Sequence, residues 1–155
     1  MPKKSKLLVC TDDSQHSRVA LRYALKEAES LNFKVEMLHV IDPSEYNTLF
    51  MAGDKLREEK QEEAEKMMKM LVKEVKDFST VKPAYKIREG LLSEEVRKAI
   101  EDDGNVHMLI LGKAPEAAGK KDLITMLSAE LVGKIMIPML IVPGNLTDQQ
   151  IEELT

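Results

Sequence analysis

Cysteine is nearly missing from this chain: Cys10 is the only one among 155 residues. A lone thiol excludes a disulfide within the chain and suits a reducing compartment, so a cytoplasmic location is expected. Long apolar runs are missing too, and none approaches the length that spans a bilayer. The opening "MPKKSKLLVCTDD" is basic and then apolar, but it reaches carboxylates too soon for a signal-peptide core. No excess of positive charge exists either. The formal net charge is −4, which gives no general attraction to nucleic acid or to an anionic membrane. No internal repeat and no low-complexity segment interrupts the chain, and its length suits one domain.

What is present is a regular switching of hydrophobic period. Leu7-Leu8-Val9-Cys10 is a short apolar run ended by Thr11-Asp12-Asp13-Ser14, where Asp13 or Ser14 is placed to cap a helix. Ala20, Leu21, Ala24, Leu25, Ala28 and Leu31 then recur at spacings of three and four, one face of that helix, and Asn32 stops it. Residues 33–41 become almost wholly apolar, as a buried strand does. A long charged helix is predicted over 54–78, with Ala64, Met67, Met68, Leu71, Val72, Val75 and Phe78 as its inner stripe. "PAYKIRE" alternates as a half-buried strand and closes at Gly90; Ser93 is the expected cap of the helix that buries Val96, Ala99 and Ile100. "VHMLIL" is another buried strand, and Leu123, Leu127, Leu131 and Val132 mark a further helix. "PMLIVP" is the last strand, its prolines suited to a sheet edge. Strands alternating with helices predict a parallel sheet covered on both faces, within an α/β domain over residues 1–143. Residues 144–155 are a polar tail or short capped helix; the pattern leaves both open.

In such folds ligands sit beyond the carboxyl ends of the strands, which directs attention to specific turns. The glycine-bearing, lysine-rich stretch "GKAPEAAGKK" after the fourth strand invites a phosphate reading. It fails the P-loop test, because six residues separate Gly112 from Gly119 and Lys121 stands where a hydroxyl is needed. "TDDSQHS" holds no glycine and so fails the dinucleotide fingerprint. His16, His39 and His107 lack zinc-ligand spacing, and no G-x-S-x-G elbow exists for a hydrolase. Asp42 and Asp12 end adjacent strands, but the further groups of a receiver-type magnesium pocket are missing. Cys10 reads as a small buried residue and Met67-Met68 as core filler.

Several segments together resemble the universal stress protein family. "KLLVCTDDSQHSRVALRYALKEA" is similar to its first strand, aspartate and helix, and "VEMLHVIDP" to its second strand. "REGLLSEEVRKAIED" with "VHMLILGK" resembles its third helix and fourth strand, and "IPMLIVPG" its closing strand. The resemblance covers roughly residues 5–143. It implies a five-stranded parallel sheet of order 3-2-1-4-5 with helices on both faces, the adenine-nucleotide-hydrolase-like, Rossmann-like arrangement. It also implies a homodimer that pairs the last strands.

Many members of that family bind ATP through an aspartate after strand one and a loop of the form G-x-x-G, nine residues, then G-[ST]. Carried over by position, the resemblance implies Asp12 with neighbouring Thr11, Val40 on the adenine side, Gly112 with neighbouring Lys113, and Thr125 at the loop's close. The departures are Pro115 at the second glycine and Thr125-Met126 in place of Gly-Ser. Lys120 and Lys121 supply charge without the glycine cradle. The expectation is a regulatory or protective binding module, not an enzyme, that takes ATP or AMP weakly and has no nucleic-acid or membrane partner. The alternatives are an interaction homodimer without nucleotide and, ranked last, a weak ATP hydrolase.

Overall fold

The computed structural model describes residues 3–46, 53–115 and 123–155. Strand β1 (Lys6–Cys10) leads into α1 (Gln15–Leu31), β2 (Lys34–Ile41), a 3-10 turn (Pro43–Tyr46) and α2 (Gly53–Glu74). There follow β3 (Ala84–Glu89), α3 (Leu92–Asp103), β4 (Val106–Lys113), α4 (Leu123–Leu131), β5 (Met139–Pro143) and α5 (Asp148–Leu154). The five strands form one sheet of order β3-β2-β1-β4-β5, and every pairing is parallel.

The alternation of side chains along each strand divides the core into two layers. Leu7 and Val9 of β1, with Met37 of β2 and Ile110 of β4, face α1 and α2. Leu8, Leu38, Leu109 and Leu111 face α3 and α4. The first two crossovers therefore cover one face and the next two the other, the arrangement that right-handed connections produce when the chain reverses direction across a sheet. β1 lies beside both β2 and β4. The reversal falls between β1 and β4.

Helix α1 is the central pillar. Its stripe of Val19, Ala20, Leu21, Ala24, Leu25 and Ala28 is at most 1% exposed, and burying each large member contributes about 1.5–3 kcal/mol. Ser14 caps it, accepting the Ser17 N–H, and Asn32 ends it in the left-handed conformation at φ 58°. Asn tolerates that region because its short polar side chain bonds locally.

The sequence expectations need five adjustments. Leu31, at the end of α1, is 44% exposed and lies off the buried stripe. α2 ends at Glu74, not at 78, because the chain tightens: Lys76 and Phe78 donate backbone bonds three residues back, to Lys73 and Val75. Phe78 keeps its place against the core because that tighter turn preserves a spacing of three. Ser93 lies inside α3, whose cap position is Leu91 with no side-chain bond. Val132 follows the end of α4 and is 68% exposed, so it does not share the buried stripe of Leu127 and Leu131. Cys10 is half-buried.

Residues 148–154 form a helix with a capping box: Thr147 accepts the Gln150 N–H while the Gln150 side chain accepts the Thr147 N–H. Ile151 is fully buried against the α1 layer and anchors it. No helix among the described residues is long and apolar enough to cross a membrane.

Candidate functional site

The carboxyl ends of β1, β2 and β4 open into a cleft of about 390 Å³, a volume suited to a small molecule. Each wall has a local cause. Thr11, 4% exposed, prolongs the β1–β2 pairing: its N–H and its hydroxyl both donate to the Leu38 carbonyl, at 2.8 and 3.3 Å. The Thr11 carbonyl receives His39 Nδ1 at 2.8 Å. A carbonyl has no proton to give, so His39 carries its proton on Nδ1 and leaves Nε2 as the acceptor of the neutral ring.

Asp12 is exposed and already engaged. Its Oδ1 accepts the Ser14 N–H at 2.8 Å and also the Ser14 hydroxyl, and its own N–H donates to Ser17 Oγ at 3.0 Å. Ser14 Oγ in turn accepts the Ser17 N–H at 3.2 Å and lies 3.2 Å from His16 Nε2. Because the single hydroxyl proton goes to Asp12, His16 is the donor in that last contact. Asp12, Ser14 and His16 thus form one polar chain across the mouth of α1.

Gly112 lets the first turn of α1 lie close against the sheet. A Cβ on Gly112 would stand 2.2 Å from the His16 carbonyl oxygen, and one on Gly144 would stand 2.3 Å from His16 Cβ. The first turn of α1 therefore rests directly on the ends of β4 and β5. The Gly144 N–H donates to the Lys113 carbonyl at 2.7 Å, holding the two strand ends together.

Thr11, Asp12, Val40 and Gly112 line this cleft together. Lys113 ends β4 with an exposed side chain and is not part of the lining. Thr125 lies on α4 with its side chain outside the described residues, and Gly119, Lys120 and Lys121 lie outside them altogether. Pro115 is described and exposed; without an N–H it cannot supply a phosphate donor. Sequence reasoning missed Ser17 and the apolar floor of Leu38, Leu92, Ile124 and Leu127. Ser17 stands three residues after the cap Ser14, a spacing that signals its proximity to the turn. The floor comes from three separate elements and has no local signature.

The electrostatics are mixed. Asp12 and Asp42 bring carboxylates to the described lining, His16 and His39 bring imidazoles, and no lysine or arginine takes part. Asp42 accepts the Ser44 N–H at 2.9 Å. Burial, with the charge of Asp12 second, pushes the Cys10 thiol up to about 12, so it is not a thiolate nucleophile at neutral pH. Among the described residues no group of three His, Cys, Asp or Glu side chains is placed to hold a metal. A larger depression of about 460 Å³ adjoins the cleft at His39 and runs along α2. It is walled mostly by α2 and shares only His39 with the lining of the cleft.

A model described as the universal stress protein family matches residues 4–143. No curated protein sequence matches. Among solved structures, universal stress protein UspA from Lactobacillus plantarum superposes with a TM-score of 0.72 at 16% identity, covering 92% of this chain and 99% of that one. Hypothetical protein MJ0577 does so with a TM-score of 0.70 at 27% identity, covering 92% and 97%. A universal stress protein family member from Arabidopsis thaliana with AMP bound gives a TM-score of 0.58 at 16% identity, covering 90% and 91%.

Proposed function

The chain belongs to the universal stress protein family, and from that premise we propose that it is a regulatory or protective binding module that takes an adenine nucleotide in the cleft of β1, β2 and β4. One observation carries the reading: Thr11 and Asp12, Val40, and Gly112, from three separate strand ends, meet at a single cleft of ligand size beside the β1–β4 reversal. The AMP held by the Arabidopsis protein supports the ligand class.

The cleft suits the parts of such a ligand unequally. Leu38, Val40, Leu92, Ile124 and Leu127 offer an apolar bed for a purine, while Thr11, Asp12, His16 and Ser17 offer polar groups at its rim. The two carboxylates oppose a polyphosphate, and Pro115 removes a donor from the loop that follows β4. AMP is therefore favoured over ATP, with weak affinity. The reading is of a binder and not a catalyst. The protein acts in the cytoplasm as a homodimer joined through β5, without nucleic acid or membrane as partner.

The test is nucleotide extraction from freshly purified protein, followed by calorimetric titration with AMP and ATP. The expected result is AMP binding at least about tenfold tighter than ATP, weakened about tenfold in Asp12→Ala, each factor equivalent to about 1.4 kcal/mol. Circular dichroism of the variant checks that α1 persists after the loss of its turn. Absence of heat for both nucleotides would leave the second reading, an interaction homodimer without nucleotide. The engagement of the Asp12 carboxylate within its own turn favours that alternative.

A further inference from the structure

At the opposite end of the sheet, where β3 begins, Lys69, Lys73, Lys76 and Lys82 surround a groove of about 410 Å³. Its other lining residues are Val72, Val75, Ser79, Thr80, Val81 and Pro83, and no carboxylate is among them. Val75 and Pro83 are buried, so the floor is apolar. The loop that forms one wall is held in place. Glu29 accepts the Ser79 hydroxyl at 2.6 Å and the Thr80 N–H at 3.0 Å, and Val81 N–H closes onto Ser79 Oγ at 3.1 Å.

The lysines of this rim are largely uncompensated, and four of them converge on one groove. All five arginines are matched by a carboxylate. In the groove Lys69 has only an exposed contact to Glu65 at 3.8 Å. Lys73, Lys76 and Lys82 make no ion pair among the described residues, and nearby Glu74 is taken by Arg18. Lys69 and Lys73, four apart on α2, share one face and repel, and the turn that follows brings Lys76 to the same groove. Compensation of the carbonyl end of α2 accounts for Lys73, which lies in the last turn. It does not account for Lys76 or Lys82, which lie beyond the helix.

We propose that this groove binds a small amphipathic anion, with a hydrocarbon or aryl body on the valine and proline floor and a phosphate, sulfate or carboxylate head among the lysines. The lysine stems add apolar wall while their ammonium groups stay wet. The volume suits a small ligand, and the fixed loop lowers the ordering cost of binding.

The probe is octyl phosphate below its micellar concentration, titrated into the 15N-labelled full chain, with inorganic phosphate and octyl glucoside as the separate head and tail. The expected result is saturable amide shifts confined to residues 69–83, a response to either half at least about tenfold weaker, and about tenfold loss of affinity in Lys73→Gln/Lys76→Gln/Lys82→Gln. The single Lys76→Gln, at an exposed turn position, gives a smaller loss in the same direction and guards against misfolding of the triple variant. Four results would overturn the proposal. They are an equal response to inorganic phosphate alone, an equal response to octyl glucoside, shifts that fall on residues 10–12 and 112 instead, or undiminished binding by the triple variant. Sedimentation with anionic vesicles in the absence of any response to monomeric octyl phosphate would assign the lysines to a lipid surface and also refute it.

Discussion

At the scale of single residues, Gly112 shows how one position serves two purposes. Read in sequence, it is the first glycine of a phosphate loop; in space it is also the point where α1 touches β4, with His16 occupying the volume a Cβ would need. Gly112→Ala must push the first turn of α1 off the sheet, and backbone cannot yield as a flexible side chain does. The expected cost is about 1–3 kcal/mol, of the size seen for overpacked cores, read as a lower urea midpoint at unchanged slope. The contact was not legible in the sequence, because it depends on how α1 crosses a strand almost a hundred residues away. Asp12 is a similar case. Its place after the first strand could be read directly, while its engagement by Ser14 and Ser17 follows from local spacing that the motif comparison passes over.

At the scale of elements, strand identity was legible, because four strands are short apolar runs and β3 alternates, each set between turn residues, whereas the strand order followed from the family resemblance. Helix ends were less so. Ser93 has the right chemistry for a cap, but the cap falls two positions earlier, at Leu91, just after Gly90 at φ 153° turns the chain and with Glu95 paired to Arg88. Tertiary pairing there outweighed local propensity. Elements are also joined by charge. Lys6 of β1 reaches Asp103 of α3 at 2.6 Å and Glu36 of β2 at 3.3 Å. Burial disfavours the charged form of Asp103. The hydrogen bond and charge of Lys6, then the Asn105 N–H and Lys86, outweigh it and hold the carboxyl below its ordinary value.

A depressed native value means that Asp103 contributes stability above its unfolded value near ~4 and loses it as the pH falls through the lower native one. Glu95, lowered chiefly by Arg88, and Glu29, lowered chiefly by Ser79, act in the same direction. Lys6 is raised, its carboxylate partners outweighing burial, so its contribution persists below its unfolded value and is lost only at strongly alkaline pH. Lys6→Met is therefore expected to cost about 1–3 kcal/mol at neutral pH. It should also make the melting temperature fall less steeply than in the parent between about pH 5 and 2. A parallel pair of melting curves would show that Asp103 owes its low value to something else.

At the scale of the whole molecule, the two sheet edges differ. β3 alternates exposed and half-buried positions and carries Lys86, which pairs with Glu36. Along β5, Ile141 is 42% exposed, and the chain leading to it exposes Val132 at 68% and Met136 at 94%. An apolar edge with free backbone groups invites pairing, which is the physical ground for the proposed homodimer. Ile141→Lys changes an exposed side chain without touching the core. It is expected to weaken self-association at least about tenfold, or 1.4 kcal/mol, by sedimentation velocity with the melting temperature of the monomer preserved. A parent chain that sediments as a monomer would remove the dimer from the functional reading.

The seat of His16 on Gly112 and Gly144 has a mechanical corollary for both proposals. The turn that would greet a nucleotide and the strand that would greet a second copy share a contact with no slack between them. A ligand that tilts α1 is expected to press on Gly144, just past the end of β5. Thermodynamic reciprocity then requires that whatever factor occupancy adds to dimer affinity, assembly returns to the ligand.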